Sequence, residues 1–249
     1  MTTVTSPAPF SIALSPEQSV LGIRPDANFD PAELAAALQL PMPKRLFMLS
    51  GGAGEMAPAA YQQLKSLFQR VGEVLVEAQT TVIDGGTQFG AVALLGDALA
   101  QAGQSAPYIG VLPAHAEVGQ NGLRGEDVLE HHHSHFVLVE SDEWGEEVKI
   151  MYALADYFSR RAASVAMLVN GGGISLQEVE WNVKQGREII VIAGSGRLAD
   201  EIATAVRHPQ TAARDRIAAV VQSGKFILFD LSESLENLAE LLRQHLKST

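Results

Sequence analysis

The chain has 249 residues, of which 29 are acidic and 18 are Lys or Arg, so its formal charge is −11 at pH 7. Such an acidic balance argues against binding nucleic acid through bulk charge. The absence of Cys excludes disulfides, thiolate nucleophiles and Cys-ligated metals. Hydrophobic residues make up 47% and charged residues 19%, which is typical of a compact globular chain with well-buried strands.

The N-terminal segment carries no targeting or membrane signature. No Lys or Arg precedes Arg24, so a basic n-region is missing, and no apolar run approaches the roughly 18 residues of a membrane span. The sequence therefore predicts a soluble, cytoplasmic protein with no membrane partner. Residues 1–18 hold three of the 11 prolines and show no sustained period, which predicts a flexible arm with one short edge strand near Phe10 to Leu14.

From Ser19 onward, short apolar runs alternate with longer segments of helical period. The predicted strands are Ser19 to Ile23, Arg45 to Leu49, Thr81 to Ile83, Tyr108 to Leu112, Phe136 to Val139, Val165 to Val169, Ile189 to Ala193 and Phe226 to Phe229. The predicted helices begin at Asp30-Pro31 and Pro58 and then cover Ala91 to Ala102, Val148 to Ser159, Leu176 to Gln185, Leu198 to Val206, Thr211 to Gln222 and Glu233 to Leu246. This alternation predicts an α/β fold with a doubly wound, mostly parallel sheet and helices on both faces. No composition shift marks a linker, so residues 19–249 are expected to form a single domain.

Four of the predicted strands are followed directly by glycine-rich turns that precede a helix. The residues of these turns that we expect to bind ligand are Gly51, Gly52, Gly54, Gly85, Gly86, Thr87, Gly90, Gly171, Gly172, Gly173, Ser175, Gly194, Ser195 and Gly196. Free backbone N–H groups and the positive end of a helix dipole favour an anion there, and glycine allows a phosphate to approach the backbone. Glycine is also the usual residue of a tight turn, but four such turns in register favour a phosphate-bearing ligand. None has the Walker A spacing, and the first lacks the full GxGxxG form.

Three charged residues next to these turns each allow two interpretations. Arg197 either clamps phosphate oxygens with its guanidinium or lies on the surface. Glu178 either acts on a ligand, by binding a sugar hydroxyl or by transferring a proton, or only complements the dipole of its helix. Asp84 either holds a ribose hydroxyl or caps the turn that follows it.

The run His131-His132-His133-Ser134-His135 enters a predicted strand, where adjacent side chains point to opposite faces and do not readily share a metal ion. We therefore predict no metal site. His133 and His135 fall on one face by the period of two, and they are candidates to stack on a base, to hydrogen-bond a ligand or to pack. No nucleophile elbow anchors a Ser-His-Asp order, so we predict no covalent nucleophile.

Together these motifs resemble the SLOG superfamily, and more narrowly the prokaryotic relatives of the N-terminal homology region of melastatin-type transient receptor potential channels. The resemblance covers roughly Arg45 to Val206. It is carried by His133 to Val139, Trp144-Gly145-Glu146-Glu147, Val169 to Gly172 and Ala193 to Asp200. It implies a Rossmann-like domain that senses a nucleotide derivative such as ADP-ribose, whose phosphates would meet the glycine turns and Arg197.

The wider superfamily includes the Lonely Guy enzymes, which hydrolyse the N-glycosidic bond of nucleoside 5′-monophosphates. Asp84 to Gly90, followed by Gly110 to Pro113, looks like their first glycine motif and the strand after it. Asn170 to Glu178 resembles their PGGxGTxxE motif, with Asn170 in place of the Pro and Ile174 in place of the later Gly. This resemblance implies Pro113 as a ligand contact and Glu178 as a catalytic residue.

Two functions are therefore expected from the sequence. The first is binding of ADP-ribose, cyclic ADP-ribose or an NAD-related nucleotide without a required cofactor, and the alternative is a phosphoribohydrolase acting on nucleoside monophosphates. A homodimer and regulation of an unidentified effector protein are further expectations. Whether the protein is an enzyme stays open at this point.

Overall fold

The computed structural model describes residues 8–15, 17–26, 29–52, 58–116, 129–210 and 215–247. These residues form a nine-stranded sheet with helices on both faces. The strands are β1 (Phe10–Ala13), β2 (Ser19–Ile23), β3 (Arg45–Gly51), β4 (Thr81–Asp84), β5 (Tyr108–Pro113), β6 (His135–Val139), β7 (Ala163–Val169), β8 (Glu188–Ala193) and β9 (Lys225–Asp230). Their order is β1-β2-β6-β5-β4-β3-β7-β8-β9, and every pair is parallel except β1 with β2. The predicted fold class is confirmed, as is the edge strand within the predicted arm.

The helices divide between the two faces of the sheet. They are α1 (Pro31–Ala37), α2 (Pro58–Glu77), α3 (Gly90–Ala102), α4 (Glu147–Ser159), α5 (Gly173–Lys184), α6 (Arg197–Arg207), α7 (Asp215–Ser223) and α8 (Leu235–His245). One apolar core lies beneath α2, α3 and α8, and a second lies beneath the other five helices. Among the described helices, none is long and apolar enough to cross a membrane.

Local sequence signals account for several helix ends. Asp30 caps α1, because its side chain accepts a hydrogen bond from the Ala32 N–H at 2.6 Å and Pro31 occupies the first helical position. Helix α5 begins at Gly173 rather than at the predicted Leu176, so the helix includes part of the glycine turn. The first residues of the predicted helix Thr211 to Gln222 lie outside the described residues.

The direction of the chain across the sheet reverses between β3 and β7. From β3 the chain proceeds through β4, β5 and β6 toward one edge, and from β7 it proceeds through β8 and β9 toward the other. In a parallel sheet of this kind, the helices that follow the two central strands leave on opposite faces and open a crevice at the carboxyl ends. Here α2 and α5 do so, which positions the candidate site.

The two central strands approach each other closely at this point. A Cβ atom placed on Gly51, the last residue of β3, would lie 2.8 Å from the carbonyl oxygen of Val169, the last residue of β7. Real Cβ atoms essentially never come that close to backbone, so any larger residue at position 51 would push the two strand ends apart. Gly51 is therefore explained by packing as well as by any role in binding.

A fully buried ionic cluster anchors the turn that follows β4. His133 lies between two carboxylates, with Nε2 at 2.9 Å from Asp84 Oδ1 and Nδ1 at 2.9 Å from Glu130 Oε2. The hydroxyl of Tyr108 donates to Asp84 Oδ2 at 2.7 Å, and the Gly86 N–H donates to Asp84 Oδ1 at 2.8 Å. Glu130 also contacts His132 at 2.6 Å, so every carboxylate oxygen of the cluster has a hydrogen-bond partner in the core.

The two carboxylates keep His133 protonated despite its burial. Burial alone lowers the pKa of an imidazole, but Asp84 and Glu130 together raise the pKa of His133 to about 9. The same pairing lowers the pKa of Glu130, against the effect of burial. Burial raises the pKa of Tyr108, which therefore stays a neutral donor.

Replacing His133 by Ala should destabilise the fold strongly, because two buried carboxylates would lose their common cation. We expect a loss of about 3–5 kcal/mol in the free energy of unfolding, measured by urea titration at pH 7. His131→Ala is the matched control, since His131 is an exposed residue of the same run. A loss as small as that of the control would contradict the role assigned to His133.

The contribution of His133 to the free energy of unfolding should change with pH in a defined direction. A histidine whose pKa is raised in the folded state stabilises the fold fully below its unfolded value near 6.5, and this contribution is lost as pH rises through about 9.

Candidate functional site

A cleft of about 310 Å³ lies at the carboxyl ends of β3, β4 and β7, beside the start of α6. Its walls combine three glycine turns with two carboxylates, one guanidinium and several apolar side chains. The lining residues are Leu49, Gly51, Gly52, Gly85, Thr87, Val92, Trp144, Glu147, Met151, Gly172, Gly173, Ile174, Ser175, Glu178 and Arg197. Concave sites of this size with a few convergent polar groups are typical of small-molecule binding.

The Arg197 side chain lies across two of the glycine turns. A Cβ atom placed on Gly172 would lie 2.8 Å from Arg197 Nη2, and one placed on Gly52 would lie 3.9 Å from Nη1. Within the described part of the chain, no carboxylate forms an ion pair or hydrogen bond with this guanidinium. The start of α5 at Gly173 adds free backbone N–H groups nearby, so this end of the cleft suits an anion.

The turns after β7 and β8 are held together by hydrogen bonds that position Arg197. The Asn170 N–H donates to Ser195 Oγ at 2.8 Å, and Asn170 Nδ2 donates to the Ser195 carbonyl at 3.0 Å. The Ala199 N–H donates to the Asn170 carbonyl at 2.9 Å, which ties the first turn of α6 to the end of β7. Arg197 itself has a left-handed backbone with φ of 47°, an uncommon conformation for a residue other than glycine.

Two buried carboxyl groups also line the cleft. Glu178 is 6% exposed on α5, and burial together with the neighbouring Glu147 and Asp84 raises its pKa to about 8. Glu147, at the start of α4, accepts a hydrogen bond from the Gly145 N–H at 2.7 Å, and burial raises its pKa. Glu178 Oε2 is buried without a hydrogen-bond partner among the described residues. A neutral carboxyl group at this position can donate a proton to a ligand.

Trp144 lines the cleft and is 38% exposed. Its ring contacts His115 edge to face with the centroids 5.6 Å apart, and His115 is fixed by a 3.0 Å hydrogen bond between Nδ1 and the Ser141 carbonyl. An exposed indole held in this way offers an apolar surface for an aromatic ring.

The structure brings nearly half of the predicted site residues together in this cleft. They are Gly51, Gly52, Gly85, Thr87, Gly172, Gly173, Ser175, Glu178 and Arg197. Gly54 lies outside the described residues. The other predicted residues do not line the cleft, namely Asp84, Gly86, Gly90, Pro113, His133, His135, Gly171, Gly194, Ser195 and Gly196.

Several of these residues support the site from behind instead. Asp84 is fully buried and caps its own turn, which is the second of its two predicted interpretations. Ser195 holds the loop after β7, and the Gly194 N–H donates to Asp200 at 2.6 Å. Gly86 allows β4 and β5 to approach, because a Cβ there would lie 2.9 Å from the Gly110 Cα.

The expectation that His133 and His135 share one face of a strand is wrong. Strand β6 begins only at His135, so His133 precedes the alternating part of the chain and lies in the buried ionic cluster. His135 lies at the amino end of β6, opposite the edge of the sheet that holds the cleft, and its Nδ1 is 2.8 Å from Ser134 Oγ. Burial lowers the pKa of His135.

Sequence reasoning missed six lining residues, of which Leu49, Val92 and Ile174 lie next to predicted turn residues and three others, Trp144, Glu147 and Met151, do not. The last three belong to α4 or to the turn before it, which carries no glycine motif. In the sequence, Trp144 to Glu147 contributes only to the family resemblance. The sequence signal for them is a Trp followed by Glu residues at a helix start, a few residues after a buried strand.

Among the residues that the structure describes, no group of three His, Asp or Glu side chains is arranged to hold a metal ion. Both nitrogens of His133 are already engaged by carboxylates.

Comparison with known proteins identifies the family. Residues 45–240 match the protein family described as "SLOG in TRPM, prokaryote". The chain belongs to this family.

The chain is also 26% identical over 211 residues to transient receptor potential cation channel subfamily M member 2 from mouse and from rat. Each match covers 68% of this chain but only 14% of the channel. Among solved structures, the X-ray structure of the structural genomics target TM1055 superposes with a TM-score of 0.53 at 16% identity. It covers 80% of this chain and 99% of the other. This likeness supports the fold.

Glu178→Gln should stabilise the SLOG protein, and the gain should grow with pH. Because the folded state raises the pKa of Glu178 from 4.5 to about 8, the unfolded chain loses this proton first and wild-type stability falls across that interval. The variant has no such loss, so the difference in Tm should widen from about pH 5 to pH 8 and then level off.

Thermal unfolding in matched buffers measures this difference. Glu240→Gln changes an exposed glutamate on α8 and should follow the wild type throughout. A constant difference between Glu178→Gln and wild type would show that Glu178 is not held neutral by the fold.

Proposed function

We propose that the cleft binds a phosphate-bearing nucleotide derivative, namely ADP-ribose, cyclic ADP-ribose or an NAD-related molecule. The observation that carries this proposal is the position of the Arg197 guanidinium across the turns at Gly52 and Gly172, without a described carboxylate partner. A guanidinium that is held over glycine backbone and beside a helix start has the geometry for bidentate contact with phosphate oxygens.

The rest of the cleft supports a ligand with both a phosphate and an aromatic end. The exposed ring of Trp144 lines the same cleft as Arg197 and provides a surface for stacking a base. Glu178 and Glu147 provide polar groups for sugar hydroxyls. Membership of the SLOG family supports the same proposal, because the resemblance to the channel domain implies ADP-ribose or a relative.

Arg197→Ala should weaken binding of such a nucleotide by about 1.5–3 kcal/mol, the usual contribution of a hydrogen bond to a charged group. Isothermal titration calorimetry with ADP-ribose, cyclic ADP-ribose, NAD and AMP measures the change. Arg207→Ala is the matched control, because Arg207 lies at the other end of α6 and pairs with Asp230 at 2.6 Å. Equal affinities of the Arg197 variant and the wild type would exclude the phosphate contact.

A second function, hydrolysis of a nucleoside 5′-monophosphate, is favoured by the carboxyl pair. Glu178 is buried, lines the cleft and has a pKa raised to about 8, which is the condition for a general acid near neutral pH. A proton from Glu178 to the departing base would assist cleavage of the N-glycosidic bond, water would add to the ribose C1′, and the proton lost by that water would restore the Glu178 carboxyl group. This reaction resembles that of the Lonely Guy enzymes, whose final motif glutamate matches Glu178.

If this second function is correct, mass spectrometry of the protein with AMP should show free adenine and ribose 5-phosphate. Glu178→Gln should reduce turnover by at least about 100-fold, the usual contribution of general acid–base catalysis, while phosphate binding through Arg197 is retained. Retention of intact nucleotide by the wild-type protein, with no base released, would leave binding as the function. Undiminished turnover in the variant would exclude Glu178 as the acid.

A further inference from the structure

Four residues other than glycine have a left-handed backbone in the described part of the chain, and two of them belong to adjoining turns. Gln39 and Gln79 lie just beyond the ends of α1 and α2, where a left-handed residue is an ordinary way to end a helix. Asn170, with φ of 55°, follows β7, and Arg197, with φ of 47°, begins α6. The end of a helix does not explain these two conformations, so other interactions must hold them.

The side-chain amide of Asn170 forms hydrogen bonds through both of its ends. Oδ1 accepts from the Gly171 N–H at 2.8 Å, and Nδ2 donates to the Ser195 carbonyl at 3.0 Å. A backbone N–H only donates and a carbonyl only accepts, so these partners fix the orientation of the amide. Asn170 is 0% exposed, so water does not compete for these bonds.

The backbone of Asn170 adds two more bonds to the turn after β8. Its N–H donates to Ser195 Oγ at 2.8 Å, and its carbonyl accepts from the Ala199 N–H at 2.9 Å. Arg197 lies between these two points of attachment, so its backbone has little freedom. The guanidinium then lies beside the turn that Asn170 begins, because a Cβ atom on Gly172 would be 2.8 Å from Arg197 Nη2.

Asparagine suits this position better than the other residue types do. It enters the left-handed region more readily than most residues, and its amide supplies both a donor and an acceptor. Glycine can adopt the same φ but lacks the amide. Proline has a φ of about −65° and no N–H to donate to Ser195. The Pro that begins the Lonely Guy motif would therefore not fit the turn of this chain, where Asn170 replaces it.

We propose that Asn170 is the positioning residue for Arg197, and that it holds the turn after β8 so that the guanidinium lies across Gly172 and Gly52. Asn170 is buried and does not line the cleft, so contact with a ligand phosphate is left to Arg197. The anion site is thus assembled from the turns after β7 and β8, and one buried amide sets their relative position. The phosphate contact rests on the proposed function, but the position of Arg197 does not.

Relaxation of backbone ¹⁵N nuclei in the ligand-free full chain tests the position of Arg197. The order parameter of the Arg197 N–H should be about 0.85 in the wild type, the value of rigid backbone. Asn170→Ala removes the amide and disfavours the left-handed backbone, so this order parameter should fall below about 0.6. Asn170→Gly removes the amide alone and should give a value between these two.

Asn182→Ala is the matched control, because it removes another buried amide. Asn182 is 0% exposed, and its amide donates to the Tyr152 hydroxyl and accepts from Arg187, each at 2.7 Å, outside the turns after β7 and β8. This variant should lower stability without changing the order parameter at Arg197. A wild-type value at Arg197 in Asn170→Ala would overturn the proposal. If Asn170→Ala does not fold, a wild-type value in Asn170→Gly has the same meaning.

A double-mutant cycle in ligand binding shows whether Asn170 acts through Arg197. In isothermal titration calorimetry with ADP-ribose, Asn170→Gly should weaken binding by about fivefold, the equivalent of one hydrogen bond. In the Arg197→Ala background the same change should weaken binding by less than about twofold, because the guanidinium that Asn170 positions is gone.

The cycle separates positioning from a merely structural role. If Asn170 only stabilises the fold, its replacement should weaken binding equally in both backgrounds, and that result would overturn the proposal. A loss confined to the background that retains Arg197 would support it. If ADP-ribose does not bind to the wild type, the proposed function fails for this ligand, while the order parameters of the free protein still decide whether Asn170 positions Arg197.

Discussion

The pairing of β3 with β7 is the constraint on which the rest of the site depends. These strands run side by side from Arg45 with Ala163 to Gly51 with Val169, and the chain leaves the pair in opposite directions. Helices α2 and α5 consequently cover opposite faces of the sheet. The close approach of Gly51 to the Val169 carbonyl shows how tightly this junction is packed.

The electrostatics of the site are local rather than global. The chain as a whole carries a charge of −11, which repels an anionic ligand at long range. Within the cleft, however, the guanidinium of Arg197 lies against glycine backbone, and the start of α5 adds the positive end of a helix dipole. The carboxyl groups of Glu147 and Glu178 are buried with raised pKa values, so the cleft carries less negative charge than its composition suggests.

The protein handles buried charge in two different ways. The cluster around His133 is complete, because each carboxylate has a cation or a hydroxyl as partner, and it fixes the turn after Asp84. The hydrogen bonding of Glu178 is incomplete, because its buried carboxyl oxygen Oε2 has no described partner. Structural networks in proteins tend to satisfy every polar atom, whereas an unsatisfied atom at the wall of a cleft points to a function. The His133 cluster therefore holds the site in place, whereas Glu178 is the group that can act on a ligand.

The strands and helices were predictable because each depends on local patterns. Uninterrupted apolar runs such as Val165 to Val169 indicate strands buried on both faces, and the Asp30-Pro31 pair indicates a helix start. Arg197 and Glu178 were predictable as site candidates because Arg197 directly follows a glycine turn at a strand end and Glu178 lies in the helix that begins at another. Trp144 and Glu147 were not, because the turn before α4 has no glycine signature, and only the fold brings it beside the other three turns.

The sequence by itself determined the fold class, the order of the elements and the turns that meet at the carboxyl edge of the sheet. Periodicity, capping residues and glycine positions act over a few neighbouring residues, and a single chain displays them directly. The tertiary structure decided which polar groups are buried together, because that depends on contacts between distant segments. His133 therefore lies in the core beside Asp84, the Ser50 hydroxyl lies within hydrogen-bond distance of the Tyr152 hydroxyl, and Glu178 is buried. Burial and the partners available at each position, rather than residue type, set the charge that each of these groups carries.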